Sequence, residues 1–182
     1  MKTLNSQRLI LRSFKETDLN DFYYYAKNPN IGPKAGWKPH DSIEETKTIL
    51  MMFIRKQEVW AIYHKKHKKV IGSVGLHKKS IHNKLELGYV LSEDYWGQGL
   101  MVESCKLVIK YAFEENNISK IEVVHFKENA QSNRVIEKLG IRYEGIKKEG
   151  FKMYNKVIHE CVKYSMSRSD YEKRKDDFNA KT

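Results

Sequence analysis

Residues Leu85–Cys105 read LELGYVLSEDYWGQGLMVESC, and this stretch decides the fold. The apolar run Leu85–Leu91 predicts a strand, and the apolar face that begins at Leu100 predicts a helix. The loop Gly97–Gly99 lies between them, with one glycine at each end. Glycines leave backbone N–H groups uncovered, and a helix N-terminus adds unpaired donors and a positive dipole end. The stretch therefore predicts a strand–loop–helix unit that binds an anion, such as the diphosphate of a nucleotide-like cofactor.

The composition is that of an ordinary globular protein. The chain has 182 residues, of which 40% are hydrophobic and 31% charged, which favours one domain with a sizeable core. It has no apolar run of the roughly 18 residues that a membrane span needs, and its polar N-terminus is unlike a signal peptide, so we expect a cytoplasmic protein. The two cysteines, Cys105 and Cys161, lack metal-ligand spacing, which predicts buried, reduced thiols and no metal site.

The formal net charge of +11 indicates an anionic partner: a nucleic acid, an acidic protein or an anionic cofactor. The one dense basic run is HKKHKK at His64–Lys69, which we place at a hairpin tip. A solvated turn is the favoured interpretation there, because no RNA-binding aromatic motif or helix-turn-helix pattern accompanies the charge. Nucleic acid is therefore disfavoured as the substrate.

The remaining strands follow from alternating or short apolar runs. Besides 85–91, strands are predicted over residues 8–13, 59–64, 70–77, 120–126, 141–152 and 157–167. The two over 59–64 and 70–77 read as a hairpin joined by the basic turn.

Helix signals separate these strands. Thr17 is the expected N-cap of a first helix, and Ser42 with Glu45 forms a capping-box pattern at the start of a second. A third helix runs over residues 100–116. Asn129 caps a short fourth helix, which Gly140 ends.

These elements predict an α/β (α+β) fold with a mixed, twisted sheet of about seven strands and helices on both faces. The crossover from Leu85–Leu91 through a helix to Lys120–Phe126 is a right-handed βαβ unit if those strands are parallel. Residues 1–168 are expected to form a single domain. Residues 169–182 are expected to form a charged tail that frays or becomes a loose helix.

Four segments together resemble the GNAT superfamily of acyl-CoA-dependent N-acyltransferases, within it the ribosomal-protein N-terminal (alanine/serine) acetyltransferase type. RLILRSFKETD resembles its opening strand and helix, and AGWKPHDSIEET its substrate-side loop and second helix. ELGYVLSEDYWGQGLMVES resembles the motif that binds the cofactor diphosphate, and ENAQSNRVIEKLGIRYEG the motif that follows. The resemblance implies the GNAT fold, in which the two central strands splay apart.

The loop departs from the family pattern Gln/Arg-x-x-Gly-x-Gly/Ala at two positions. Gly99 matches the central glycine, while Trp96 replaces Gln or Arg and Met101 replaces a small residue. A bulky Met101 could displace the cofactor slightly, although backbone N–H donors do not depend on side-chain identity. The pattern is neither a Walker loop nor a dinucleotide fingerprint.

The resemblance implies direct transfer of an acetyl group from acetyl-CoA to an amine, without a metal. It places Val90, Leu91, Trp96, Gly97, Gln98, Gly99, Leu100, Met101, Val102, Asn129 and Ser132 at the cofactor. The backbone near Val90 is expected to pair with the pantetheine arm and to supply the oxyanion donor.

Three positions are expected to act in catalysis. Ser132 is the candidate proton donor to the thiolate, because Ile136 stands where many family members carry a tyrosine acid. Asn129 is expected to bind the pantetheine arm or a water, although asparagine is also a good N-cap. Glu86 is the preferred base, acting through water, and Glu149 is an alternative.

The loop GWKPH is expected to line the acceptor side through Trp37 and His40. His40 could also accept a proton near neutral pH, but it ranks third as a base, and it is equally explained as a loop histidine. Tyr89 is expected to form a wall of the acetyl pocket, or simply to pack in the core.

The acceptor amine stays open among three alternatives. The net charge fits the N-terminal amine of an acidic protein, such as a ribosomal protein, better than a polycation. The second alternative is a small-molecule acetyltransferase acting on a polyamine, an aminoglycoside or an amino-acid-like amine. The third is a non-catalytic basic binding module on the same fold. A homodimer is also compatible with the sequence.

Overall fold

The computed structural model describes residues 1–78 and 83–179, without the side chains of residues 148 and 149. The strands are β1 Leu4–Asn5, β2 Leu9–Ser13, β3 Val59–His64, β4 Lys69–Lys78, β5 Lys84–Leu91, β6 Lys120–Phe126, β7 Arg142–Lys152 and β8 Ile158–Ser167. The helices are α1 Leu19–Ala26, α2 Ile43–Lys56, α3 Leu100–Glu115, α4 Ala130–Leu139, α5 Arg168–Lys173 and α6 Lys175–Asn179. Short 3₁₀ turns cover Glu16–Asp18, Gly32–Ala35 and Glu93–Tyr95.

All the strands belong to one mixed sheet with the order β1-β2-β3-β4-β5-β6-β8-β7. Over the described residues it has eight strands rather than about seven, because the two-residue β1 pairs antiparallel with β2. A two-residue strand leaves no alternation to read in a sequence. The predicted hairpin is confirmed, with the basic turn between β3 and β4.

The central strands β5 and β6 are parallel and splay apart. They pair only from Lys84 opposite Lys120 to Glu86 opposite Glu122. β5 continues to Leu91 and β6 to Phe126 without further pairing between them. The parallel crossover and the splayed pair are therefore both confirmed.

Helices cover both faces of the sheet, each over its own core. One core packs α3 and α4 against the sheet, and it includes Leu87 of β5 and Cys105 of α3. The other core packs α1 and α2 against the opposite face, and Val90 of β5 packs against it. We call these the α3/α4 face and the α1/α2 face. Because side chains alternate along a strand, residues 85, 87, 89 and 91 of β5 belong to the first face and 86, 88 and 90 to the second.

The start of α1 differs from the prediction, and the Thr17 cap is wrong. Thr17 lies inside the 3₁₀ turn Glu16–Asp18, and Asp18 organises the turn instead. The buried Asp18 carboxylate accepts from the Lys15 N–H at 2.8 Å and binds both terminal nitrogens of Arg12 at 2.7 and 2.8 Å. Arg12, on the preceding strand, thus stabilises the turn through Asp18, and the helix-cap rules do not include such a partner.

The other helix caps follow the prediction more closely. Ser42 accepts from the Glu45 N–H, while the Glu45 carboxylate accepts from the Asp41 N–H rather than from that of Ser42. The expected capping box is thus shifted by one residue on one side. Asn129 caps α4, and Gly140 ends it with φ 63°. Both cysteines are free and buried, as expected.

The C-terminal segment forms the helices α5 and α6 over residues 168–179, and two of its side chains are buried. Ser167 and Asp170 form a capping box at the start of α5. Tyr171 is fully buried and stacks on Phe113 of α3, with ring centroids 4.9 Å apart. Phe178 also contacts Tyr171, with ring centroids 5.2 Å apart. Two aromatic residues in a charged background therefore anchor this segment to the core. In the part of the chain described, no helix is long and apolar enough to cross a membrane.

Candidate active site

The splayed strands leave a wedge-shaped opening in the middle of the sheet. Beyond Glu86, the β6-facing edge of β5 has no ladder partner over Leu87–Leu91. The facing edge of β6 is unpaired in the same way over Val123–Phe126. Unpaired backbone groups inside a sheet are costly unless something bonds to them. An extended ligand that carries amide groups, lying along β5 like an added strand, fits this opening.

The glycine loop lies at the end of β5 and begins α3. Gly97 and Gly99 have φ of 76° and 75°, a left-handed conformation that residues with a Cβ adopt at a cost, and Gly99 is the N-cap of α3. Residues 97–99 are exposed, and a Cβ built on Gly97 meets no atom within 4 Å. The loop therefore offers exposed backbone and the positive end of the α3 dipole to an anion.

The side chains next to this loop point away from it. Leu100 and Met101 are buried in the core, and Val102 is half-buried against it. The Met101 side chain therefore does not cover the exposed loop, and Leu100 and Met101 can contribute to an anion site only through their backbone. Trp96 donates from its ring nitrogen to the Leu91 carbonyl at 2.9 Å, which fixes the loop to the end of β5.

The first turn of α4 brings Asn129 and Ser132 to the α3/α4 face of the opening. The Asn129 side chain accepts from the Ser132 N–H at 3.1 Å and donates to the Lys34 carbonyl at 3.1 Å. The buried Ser132 hydroxyl lies 2.8 Å from the hydroxyl of Tyr89 on β5. The two sides of the opening are thus joined by one hydroxyl pair.

Tyr89 was expected to line the acetyl pocket or to pack in the core, and the structure adds a hydrogen bond between its hydroxyl and that of Ser132. Burial raises the pKa of Tyr89 well above its usual range, so its hydroxyl stays protonated at neutral pH. The family tyrosine expected four residues after Ser132 is replaced by the buried Ile136, but Tyr89 supplies a phenol to the same serine from another strand. Sequence spacing could not detect this pair, because its members are 43 residues apart.

The loop before α2 crosses the end of the opening through Lys34. The Lys34 ammonium lies 4.9 Å from the centroid of the Trp96 ring and 3.3 Å from the Gln131 side-chain oxygen. Together with the bond from Asn129 to the Lys34 carbonyl, these contacts connect the glycine-loop side to the start of α4. Lys34 of this loop therefore lies beside the candidate site, while the roles expected of its neighbours Trp37 and His40 stay predictions.

His40 itself is a core residue. Its side chain is buried against the rings of Phe22 and Trp37. Its Nδ1 lies 2.8 Å from the Thr46 hydroxyl, which in turn donates to the Ser42 carbonyl. Burial lowers the pKa of His40. These contacts favour a structural role for His40, whereas the half-buried Trp37 stays a candidate for the acceptor side.

Glu86 lies at the last residue pair before the strands separate, on the α1/α2 face. It is half-buried and stands opposite His77 of β4 and Glu122 of β6. His77 is a neighbour that sequence reasoning missed: its Nε2 lies 3.5 Å from a Cβ built on Gly88, and its Nδ1 lies 3.9 Å from Glu58. The alternative base Glu149 has a side chain outside the described residues.

His125 on β6 is a second unexpected residue in the splayed region. Its Nδ1 lies 2.7 Å from the Phe126 carbonyl, so Nδ1 carries the proton, and burial lowers the pKa of the ring. Its Nε2 is buried and has no hydrogen-bond partner among the described residues. An orphaned acceptor of this kind indicates a missing donor.

Among the described residues, no group of three or more His, Cys, Asp or Glu could hold a metal ion.

The sequence profile described as "Acetyltransferase (GNAT) domain" matches residues 8–142. The chain is 29% identical over 149 residues to the uncharacterized N-acetyltransferase YoaA of Bacillus subtilis, covering 79% of this chain and 84% of that protein. It is 30% identical over 105 residues to the putative ribosomal N-acetyltransferase YdaF of B. subtilis, covering 57% of each. It is 29% identical over 85 residues to spermidine N(1)-acetyltransferase of Escherichia coli, covering 45% of this chain and 46% of that protein.

Solved structures share the fold. A GNAT-family acetyltransferase from Bacillus anthracis superposes with TM-score 0.85 at 21% identity, covering 92% of this chain and 99% of that one. Ribosomal-protein-S5-alanine acetyltransferase from Vibrio fischeri gives TM-score 0.76 at 21% identity, covering 94% and 99%. Spermidine N-acetyltransferase from Vibrio cholerae, solved with CoA and spermine, gives 0.78 at 22% identity, covering 92% and 99%.

Proposed function

Because the chain belongs to the GNAT acetyltransferase family, we propose that it transfers an acetyl group directly from acetyl-CoA to a primary amine. One observation carries the proposal: the candidate acid and the candidate base lie on opposite faces of the same opening. Ser132 and Tyr89 lie on the α3/α4 face, and Glu86 lies on the α1/α2 face. A thioester held in the opening would therefore have a proton donor on one side and a proton acceptor on the other.

The residues present fit acetyl-CoA, which would supply the activated acetyl group. The exposed loop Gly97–Gly99 and the start of α3 suit the diphosphate. The unpaired edge of β5 over Leu87–Leu91 suits the amide groups of the pantetheine arm, and a backbone N–H near Val90 is the proposed oxyanion donor. The orphaned Nε2 of His125 and the remaining N–H of Asn129 are further partners for that arm.

Proton transfer can then be assigned to this chain's own residues. Glu86, acting through a water, accepts a proton from the acceptor amine, which needs a free lone pair to attack. Ser132 gives its hydroxyl proton to the departing thiolate, and the proton that Glu86 has taken from the amine replaces it through solvent before the next turnover. Tyr89 donates a hydrogen bond to the Ser132 oxygen as negative charge develops there, because its own raised pKa keeps it protonated. His77, opposite Glu86, is available to orient that carboxylate or its water.

We propose an N-terminal α-amine of a protein, such as an acidic ribosomal protein, as the acceptor. Apolar side chains at the β7–β8 hairpin support this: Phe151, Tyr154, Val157 and Ile158 are exposed by about half or more. Phe151 also approaches the acceptor-side loop, 3.2 Å from a Cβ built on Gly36. A peptide can cover such a surface, whereas a polyamine offers little apolar area. A cytoplasmic location and a homodimer belong to the same proposal.

An acceptor screen tests this proposal. Release of free CoA from acetyl-CoA is measured over peptides with free N-termini, the same peptides with blocked N-termini, spermidine and an aminoglycoside. We expect turnover with free N-termini only. Turnover confined to spermidine would replace the peptide by a polyamine, while leaving the transferase intact. The absence of both turnover and a thermal shift with acetyl-CoA would overturn the proposed reaction and leave a binding module.

A further inference from the structure

The guanidinium of Arg8 lies against the glycine loop, although it comes from the residue before β2. Its Nη1 donates to the Gln98 carbonyl at 3.0 Å. Its Nη2 is the atom nearest to a Cβ built on Gly99, at 3.8 Å. The sequence near residue 98 does not predict this contact, because Arg8 and Gln98 are 90 positions apart in the chain.

The same guanidinium binds a buried carboxylate in the first turn of α3. Glu103 is 2% exposed, and it accepts from the Arg8 Nε at 2.7 Å, the Arg8 N–H at 3.3 Å and the Ser6 hydroxyl at 2.5 Å. A carboxylate at a helix N-terminus interacts with the positive end of the dipole, which is the same end that an incoming anion would use. Without Arg8, Glu103 would be a buried charge lacking its cation, beside the proposed diphosphate site.

The basic hairpin turn packs behind this pair. The backbone N–H of Lys65 donates to the Arg8 carbonyl at 3.0 Å, and its ammonium donates to the Ser6 carbonyl at 2.6 Å. His67 lies 2.7 Å from the hydroxyl of Tyr95, which leads into the glycine loop. The densest positive run of the chain is therefore next to the loop rather than at a remote turn, and it supports a positive potential there.

We propose that Arg8 is a positioning residue of the cofactor site, with two actions. It holds the Gln98 carbonyl, which keeps the loop in its open conformation, and it neutralises Glu103, so that no negative charge opposes the diphosphate. The inference rests on the proposed function, which supplies the diphosphate. Arg8 itself lies outside the glycine loop and the start of α4, the two motifs from which the cofactor site was predicted.

Arg12 provides a matched control. It lies on β2, it is bound through two nitrogens to the buried carboxylate of Asp18, and its other contacts are with the Ser13 carbonyl and the Tyr63 ring rather than with the glycine loop. Arg8→Met and Arg12→Met therefore each break one arginine–carboxylate pair, and only the first removes a contact to the glycine loop. A merely structural role of Arg8 predicts the same behaviour for both variants.

The test measures CoA affinity by isothermal titration calorimetry, with thermal unfolding recorded for each variant. We expect Arg8→Met to weaken CoA binding by about tenfold or more, the scale of a charge-assisted hydrogen bond, and Arg12→Met to leave it unchanged. Adding Glu103→Gln to Arg8→Met should recover only part of the loss, because the opposing charge is then gone while the contact to the Gln98 carbonyl is still missing. Dephospho-CoA, which keeps the diphosphate, should show the same loss as CoA.

Each outcome decides between the two proposals. Wild-type protein that fails to bind CoA overturns the proposed function. Wild-type protein that binds CoA, together with Arg8→Met that binds as tightly as Arg12→Met, overturns the role of Arg8 alone. A loss that disappears with dephospho-CoA overturns the positioning role, since Arg8 then binds the 3′-phosphate. If Arg8→Met does not fold, Glu103→Gln by itself decides: CoA binding should stay equal or strengthen, and weaker binding overturns the inference.

Discussion

Replacing Tyr89 with phenylalanine removes one oxygen atom and tests whether the Tyr89–Ser132 pair acts as a unit. The two hydroxyl oxygens are 2.8 Å apart, in a place where Ser132 is buried. When Ser132 gives up its proton, its oxygen becomes negative, and the bond from Tyr89 becomes charge-assisted. Such bonds contribute about 1.5–3 kcal/mol, which corresponds to a roughly 10- to 150-fold fall in kcat.

The assay follows thiol release from acetyl-CoA at saturating acceptor, together with CoA affinity. We expect Tyr89→Phe to lower kcat and to leave CoA affinity within about twofold, because the pantetheine contacts proposed above are made by other groups. The double variant with Ser132→Ala should be no slower than Ser132→Ala alone, since residues that act as a unit are strongly non-additive.

Tyr164→Phe is the matched control. Its hydroxyl also bonds to α4, at 2.7 Å from the Asn133 side chain, one residue after Ser132. Its removal tests whether any loss of a tyrosine–α4 bond slows the enzyme, and we expect kcat to stay within about twofold. An unchanged kcat in Tyr89→Phe, or equal losses in both tyrosine variants, would refute the assigned relay.

Three further predictions concern pH, the C-terminal helices and the loop. Burial lowers the folded-state pKa of His40 below the 6.5 of the unfolded chain, so its contribution to stability is present above pH 6.5 and is lost as the pH falls from 6.5 through the lower folded-state pKa. The melting temperature of wild type relative to His40→Gln should therefore decrease between pH 7.5 and pH 5, and a constant difference would contradict the assignment. Tyr171→Ala should lower the free energy of unfolding in urea by about 3–5 kcal/mol, because the ring is fully buried, whereas the exposed Tyr154→Ala should change it by less than about 0.5 kcal/mol. A small effect at Tyr171 would instead favour the loose tail expected from the sequence. Gly99→Ala must adopt φ near 75° at a cost of about 1–2 kcal/mol, so it should weaken CoA binding measurably, and unaltered affinity would mean that the loop conformation does not matter for the ligand.

Much of the fold could be predicted because its signals are local. The periodicity of Leu85–Leu91 and of the helix after it depends only on neighbouring residues, and so do the Asn129 cap and the Gly140 stop. The Thr17 cap was wrong because the neighbouring Asp18 bonds to the Lys15 N–H and to Arg12, and the cap pattern does not include the arginine. The anchoring role of Tyr171 and Phe178 was not predicted, because they are two aromatic residues in an otherwise charged segment that has no apolar periodicity.

The sequence alone determined the family, the glycine loop and the candidate pair Asn129 and Ser132, because each is carried by a contiguous motif. Only the tertiary structure decided which side chains stand next to them. It buried Met101 beside the loop, put His40 in the core, brought Tyr89 to Ser132 and laid Arg8 against Gln98. The last two contacts join residues that are 43 and 90 positions apart in the chain. No spacing rule along the chain encodes such a distance, because it is set by how the sheet splays and how the helices pack on its two faces.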